Sequence, residues 1–177
     1  MTDFGFAEFD ATLRDGRAVH LRAMRPADEA ELVQAFGRMS EDARYMRFMR
    51  SVREPNLERL RAALASFPGH GFGIVATVPA ADGIDIVGSA IFVIGNDRTR
   101  CELAINVGSA FGGAGLARTL LTALIESAGK RGLQEMEGFV LAANQSMLGL
   151  ARRLGFTITL DPDDPAVRIC RMTLGTA

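Results

Sequence analysis

The chain has little of several residue types, and each shortage excludes a class of protein. It contains two cysteines, two histidines and no tryptophan among 177 residues. Cys101 and Cys170 lie far apart in apolar segments, which favours two buried thiols over the alternative of a disulfide, and with no Cys-x-x-Cys pair the chain has no zinc site. We therefore expect two buried thiols in a reducing compartment, which favours the cytoplasm, and no metal centre.

Long hydrophobic runs and an excess of one charge are also missing. No apolar run approaches the roughly 20 residues that span a bilayer, and the N-terminus lacks the basic region of a secretory signal. Lys and Arg total 20 against 21 Asp and Glu, which gives a formal net charge of -1. A near-neutral chain has no bulk attraction to nucleic acid or to an anionic membrane, so we expect neither as a partner.

Apolar residues are plentiful, at 48% of the chain, and allow a sizeable core. The length fits one domain, which we place over residues 1–177, with residues 1–17 and 175–177 at its periphery. No repeat or linker divides the sequence.

The hydrophobic spacing predicts a mixed α/β or α+β domain. Three strands separated by tight turns form an antiparallel meander. A strand, a long helix and another strand then imply a parallel pair with a right-handed crossover. Predicted strands cover residues 18–24, 72–78, 84–94, 100–107 and 136–141 and a closing hairpin formed by FTITL and AVRICRMTL; predicted helices cover residues 26–37, 40–50, 56–66, 113–130 and 144–155.

Three glycines, Gly112, Gly113 and Gly115, stand directly before the longest predicted helix. A helix N-terminus has unpaired N–H groups and a partial positive charge, and glycines allow an anion such as phosphate to approach them. The loop is not a P-loop, because Leu116 follows Gly115, and it is not a dinucleotide fingerprint, because Arg118 stands at the place of the third glycine. A plain helix-entry turn is the alternative.

The sequence GGAGLA, residues 112–117, resembles the acetyl-coenzyme A loop of the GCN5-related N-acetyltransferase (GNAT) family, Gln/Arg-x-x-Gly-x-Gly/Ala. Gly115 and Ala117 match its last two fixed positions. Gly112 departs from the first, where a long polar side chain is usual, and Ala114 replaces a frequent basic residue. The backbone donors of such a loop need no side chain.

The resemblance covers residues 19–174. INVGSAFGGAGLARTLLTALIESAGKRGLQEMEGFVLAANQSMLGLARRLGFTI follows the family's order of elements, and MSEDARYMRF resembles the branch that contains bacterial protein lysine acetyltransferases. It implies a sheet with helices on both faces and a parallel pair splayed around the cofactor, usually by a bulge. The resemblance also implies an enzyme that transfers an acetyl group from acetyl-coenzyme A to a primary amine by direct attack. The amine belongs to a protein lysine or to a small molecule. The alternative function is a module that binds acyl-coenzyme A without catalysis. Separately, the two C-terminal strands suggest a homodimer, because exposed strand edges can pair with a second copy.

The resemblance assigns roles by position. The Val107 amide becomes the candidate donor to the thioester oxygen. Asn144 either hydrogen-bonds the cofactor arm or only caps its helix. The implied cofactor-binding residues are Ile105, Asn106 and Val107 for the pantetheine arm, Gly112, Gly113, Ala114, Gly115, Leu116 and Ala117 for the diphosphate, and Asn144.

Glu102 is the candidate general base, because it lies among apolar and small residues that favour a raised pKa and matches a glutamate that is catalytic in the protein-acetylating branch. An ordinary solvent-facing glutamate is the alternative. The family's acidic tyrosine on the last helix is missing, since the only tyrosine is Tyr45. The surrounding arginines either line the acceptor site, contact the adenosine phosphate or form a solvated face; they are Arg44, Arg47, Arg50 and Arg53.

Overall fold

The computed structural model describes residues 5–175. One eight-stranded sheet runs in the order β1-β2-β3-β4-β5-β6-β8-β7, and all neighbours are antiparallel except β5 and β6. The predicted meander and the parallel pair are thus confirmed. The strands are β1 (Phe9–Thr12), β2 (Ala18–Ala23), β3 (Gly71–Ala80), β4 (Gly83–Ile94), β5 (Arg100–Val107), β6 (Glu135–Leu141), β7 (Thr157–Leu160) and β8 (Val167–Thr173).

Five α-helices connect the strands: α1 (Glu29–Arg38), α2 (Glu41–Phe48), α3 (Leu57–Ser66), α4 (Leu116–Lys130) and α5 (Gln145–Leu154). Ser40 and Asn56 cap α2 and α3, as side-chain oxygens commonly do. Several expected helix boundaries are wrong. The first predicted helix opens with a 3-10 turn, Pro26–Asp28, before α1 begins at Glu29, and α2 ends at Phe48 and not at residue 50. α1 passes through Gly37 to Arg38, and α4 begins three residues later than predicted because Gly113 and Gly115 have φ values of 73° and 90°.

The N-terminal segment, which we expected at the periphery, contains a strand. Its residues 9–12 form the edge strand β1, which pairs with β2 from Phe9↔Leu21 onward. Leu13, directly after β1, is 5% exposed and belongs to the core. The segment is therefore peripheral in position but anchored. Residues 1–4 and 176–177, which we also expected at the periphery, lie outside the described residues.

The main core lies between the sheet and α4. Leu120, Leu121 and Leu124 of this helix are fully buried. Gly88 on β4 allows the close approach, because a Cβ there would lie 3.0 Å from Leu120 and 3.1 Å from Leu116. This packing holds the N-terminus of α4 beside the end of β5.

Both cysteines are buried and free, as expected. Cys101 is 3% exposed and Cys170 is 2% exposed. Burial raises the pKa of the Cys101 thiol to about 12 and also raises the pKa of Cys170. Neither thiol is therefore a reactive group in the folded protein.

The C-terminal hairpin offers one sheet edge, not two. β8 lies between β6 and β7 and pairs with both, so only β7 is at the edge. Of the two C-terminal strands from which we expected a dimer contact, β8 therefore has no free edge for one. Leu160 of β7 is 67% exposed.

Candidate active site

The sheet opens between its two parallel strands. β5 and β6 pair at only three positions, which end at Glu102↔Glu137. β5 then stays on β4 as far as Gly88↔Val107, whereas β6 follows β8 as far as Leu141↔Val167. We call the wedge between residues 103–107 of β5 and residues 138–141 of β6 the opening.

The opening forms without the bulge that we expected in β5. The pairing of β5 with β4 runs from Cys101 to Val107 without a shift. A register shift lies instead between β3 and β4, at Ala76/Thr77. The strands therefore diverge because each follows its own antiparallel neighbour.

Glu102 occupies the closed end of the opening. The residue as a whole is exposed, yet partial burial of its carboxyl raises its pKa. The nearby charge of Glu137 raises the pKa further, and the charge of Arg47 on α2 lowers it. The raised pKa agrees with our expectation, and the exposure keeps the carboxylate accessible to a substrate or a water.

The β5 amides that face the opening can be identified from the hydrogen bonds to β4. The Gly108 amide donates to the Val87 carbonyl at 2.8 Å. Alternate amides of an antiparallel strand point to opposite sides, so the amides of Val107 and Ile105 point away from β4 toward the opening. Asn106 carries a buried side-chain oxygen, Oδ1, that has no hydrogen-bond partner within residues 5–175.

The glycine loop lies at the mouth of the opening, between the end of β5 and α4. The Gly112 amide donates to the Ser109 carbonyl at 3.3 Å, so it is not available to a ligand without rearrangement. Among the described residues, the remaining loop amides donate to no protein acceptor; they belong to Gly113, Ala114, Gly115, Leu116 and Ala117. Five of the six candidate donors are therefore unpaired at a helix N-terminus.

Asn144 caps α5. Its Oδ1 accepts a hydrogen bond from the Met147 amide at 3.3 Å. Its side-chain NH2 group meets no acceptor in the part of the chain that the structure describes. Since the amide has a separate donor, capping and cofactor binding are compatible.

The comparison with known families identifies the fold. A family model described as an acetyltransferase (GNAT) domain matches residues 18–157. The chain belongs to the GNAT acetyltransferase family. Acetyltransferase PA5475 of Pseudomonas aeruginosa is 29% identical over 163 residues, which are 92% of this chain and 88% of that protein.

A solved structure and a second curated protein are also similar to this chain. The GNAT domain of S. lividans PAT has the same fold, with a TM-score of 0.85 and 23% identity over 94% of this chain and 97% of that one. Acetyltransferase Pat of Mycolicibacterium smegmatis is 31% identical over 144 residues, which are 81% of this chain and 42% of Pat. The chain thus matches less than half the length of Pat.

The predicted enzyme class is confirmed: this is a GNAT acetyltransferase. The predicted cofactor, acetyl-coenzyme A, is the one bound in the structure of yncA from Salmonella typhimurium, which shares the fold with a TM-score of 0.68 and 20% identity over 90% of this chain and 95% of that one. The residues present fit that cofactor. Unpaired loop amides suit its diphosphate, and the unpartnered Oδ1 of Asn106 suits an amide N–H of its pantetheine arm.

The arginines around Tyr45 divide into different roles. Arg44 is structural, because it donates to the Phe36 carbonyl at 3.0 Å and lies 4.4 Å above the Phe36 ring. Arg47 has a buried Nε without a hydrogen-bond partner, and its charge acts on Glu102. Tyr45 is 47% exposed on α2. The sequence did not distinguish Arg47 from its neighbours, because a solvated basic face has the same spacing.

Other features lie away from the opening. A cavity of about 480 Å³ lies between Phe6, Phe9 and α4, and none of the predicted site residues lines it. In residues 5–175 we find no group of three or more His, Cys, Asp or Glu side chains that would hold a metal ion. None of the helices in this part of the chain has the length and apolarity needed to cross a membrane.

Proposed function

We propose that the chain is a catalytic domain that moves an acetyl group from acetyl-coenzyme A to a primary amine by direct attack. The amine belongs to a protein lysine or to a small molecule. The observation that carries the proposal is the opening itself, with Glu102 at its closed end and the Val107 amide directed into it.

Glu102 acts as the base in this proposal. A lysine-type amine has a pKa near 10.4 and is almost wholly protonated at neutral pH, so a proton must be removed before attack. Burial raises the pKa of Glu102, which makes its carboxylate a stronger acceptor. The proton passes to it directly or through a water.

The backbone does the positioning. Acetyl-coenzyme A supplies the thioester-activated acetyl group. The Val107 amide donates to the acetyl carbonyl oxygen, where negative charge develops during attack. Ile105, Asn106 and Asn144 hold the pantetheine arm, and the loop amides of residues 113–117 hold the diphosphate.

No side chain of α5 is assigned as the acid that protonates the leaving thiolate. Met147 and Leu150 occupy the helix where the family resemblance places a tyrosine. A thiolate is a weak base compared with an amine. It therefore leaves without a side-chain acid, or takes its proton from water.

The missing acid also supports a second candidate, a module that binds acyl-coenzyme A without turnover. One experiment separates the two. The protein is incubated with acetyl-coenzyme A and a panel of lysine peptides and small amines, while thiol release is measured. Calorimetry on the same samples reports cofactor binding. Tight binding without turnover above background supports the module, and no binding contradicts both proposals.

The Glu102→Gln variant tests the base. We expect kcat to fall roughly 10²- to 10⁴-fold with cofactor affinity unchanged. Glu126→Gln is the matched control, because it removes the same charge from an exposed position on α4. In the wild type, kcat/KM falls as the pH drops through the raised pKa of Glu102, since a protonated carboxyl accepts no proton. Equal rates for both variants and the wild type would remove Glu102 from the mechanism.

A further inference from the structure

The glycine loop brings almost no charge of its own to a diphosphate. Gly112 and Ala114 stand where the family pattern has polar and basic side chains. Backbone amides alone would then balance the charge of the phosphates. A neighbouring segment of the chain supplies a cation at this place.

That segment is the turn after β1. The Arg14 amide donates to the Ala114 carbonyl at 3.1 Å, and Leu13 beside it is buried in the core. Arg17 closes the turn on the same loop, because its Nη2 donates to the Ala110 carbonyl at 2.7 Å. The turn is therefore fixed against the loop at two points that are about 100 residues away in sequence.

The Arg14 side chain lies directly against Gly115. Its Nε is 3.3 Å from the position that a Cβ of Gly115 would occupy, and its Nη2 is 3.7 Å from the same point. Gly115 is the N-cap of α4, with φ of 90°. The guanidinium is thus beside the unpaired amides, and the lack of a side chain at Gly115 makes room for it.

Arg14 is also available to a ligand. It is exposed, and its side chain forms no hydrogen bond or salt bridge within residues 5–175. Arg17 differs, because it pairs with Asp15 at 2.6 Å and lies 3.9 Å above the Phe111 ring. Of the two arginines in the turn, only Arg14 has its charge uncompensated.

We propose that Arg14 binds the diphosphate of acetyl-coenzyme A and supplies the positive charge that the loop lacks. A guanidinium suits this role, since its planar donors match phosphate oxygens in pairs. The inference rests on the proposed diphosphate-binding role of residues 113–117. It adds the side chain of Arg14, a residue that lies outside residues 18–157, which the family model matches.

The test measures dissociation constants by calorimetry for coenzyme A, 3′-dephospho-coenzyme A and pantetheine. The proteins are the wild type, Arg14→Gln and the control Arg100→Gln, which removes an exposed arginine at the opposite end of β5. For Arg14→Gln we expect about tenfold weaker binding of coenzyme A and of the dephospho form, which corresponds to about 1.4 kcal/mol. Pantetheine binding and the control stay at wild-type values, and Arg14→Lys restores part of the loss.

Three results would overturn the inference. The first is that Arg14→Gln binds all three ligands as tightly as the wild type, and the second is that it loses affinity equally for pantetheine. The third is that it loses affinity only for coenzyme A and not for the dephospho form. The last result would assign Arg14 to the 3′-phosphate. Thermal unfolding checks that Arg14→Gln is folded, which we expect because only the backbone of Arg14 contacts the loop by hydrogen bonds. A wild type that binds no coenzyme A would contradict the proposed function instead.

Discussion

The two halves of the sheet differ in how completely their strands pair. β3 and β4 stay together from Gly71↔Val93 to Ala80↔Gly83, and every residue of β3 from Gly71 to Thr77 is buried. β5 and β6 separate after three pairs. We call strands β1–β4 the closed half. We call the opening between β5 and β6, together with the glycine loop and Asn144 beside it, the open half. The closed half pairs its strands along their length, with one register shift at Ala76/Thr77, whereas the open half leaves donors and acceptors without protein partners among the described residues.

The difference shows where stability and function are placed. Buried polar groups normally find a partner, so each exception calls for an explanation. In the open half, Asn106 Oδ1 and the loop amides of residues 113–117 lack protein partners among the described residues. A substitution in the closed half should change stability alone, and one in the open half should also change ligand binding.

The largest expected effect is in the closed half. Phe92 on β4 is fully buried and packs against the Phe72 ring, with centroids 6.2 Å apart. Phe92→Ala should lower the free energy of unfolding by about 3–5 kcal/mol, because it removes apolar contacts and leaves a cavity. Urea denaturation measures the change.

The neighbouring residue provides the control for this prediction. Val93 is 46% exposed, so Val93→Ala should change the free energy of unfolding by no more than about 0.5 kcal/mol. At a temperature where Phe92→Ala is folded, its affinity for coenzyme A should equal that of the wild type. A loss of affinity in the folded variant would show that the two halves are coupled.

A smaller effect is expected at Asn144 in the open half. Asn144→Ala should cost about 1 kcal/mol of stability, because the Met147 amide loses its capping acceptor. Asn144→Asp keeps an acceptor and should restore the stability. If the side-chain NH2 also donates to the cofactor, the Asp variant stays weaker than the wild type in binding coenzyme A. Full recovery of both stability and affinity would make Asn144 a cap only.

The smallest effect is expected at the edge of the closed half. Asp10 at 2.8 Å from Nδ1 and Glu8 at 2.9 Å from Nε2 raise the pKa of His20. Arg25 lies on the far side of Glu8, at 3.1 Å. Only the protonated ring donates from both nitrogens. The contribution of this contact to the stability of the folded protein is therefore complete below the ordinary histidine pKa of about 6.5. It is lost as the pH rises through the raised pKa of His20.

Urea midpoints measured below and above this range should differ more in the wild type than in His20→Gln. The effect should be smaller than that of Asn144→Ala, since both carboxylates are exposed to solvent. An identical pH dependence in the two proteins would show that this contact adds nothing to stability.

The sequence predicted the central strands and the edge strand β7 well and missed the edge strand β1. β5 was predicted at its observed bounds, because turn residues flank an alternating run. β1 was missed, since a short edge strand with polar residues on its open side has no clear hydrophobic pattern. Arg14 was missed for a related reason: its position against Gly115 depends on pairing between distant segments, which no local spacing encodes. The positive φ of Gly115 likewise set the start of α4 in a way that helix propensity did not indicate.

The two buried cysteines have a practical consequence for enzymology. A colorimetric reagent that counts free sulfhydryls should detect released coenzyme A without background from the native protein, because Cys101 and Cys170 are shielded. Applied without substrate, the same reagent reports how fast the folded protein opens spontaneously. Its labelling rate then follows how often the interior of the sheet is exposed.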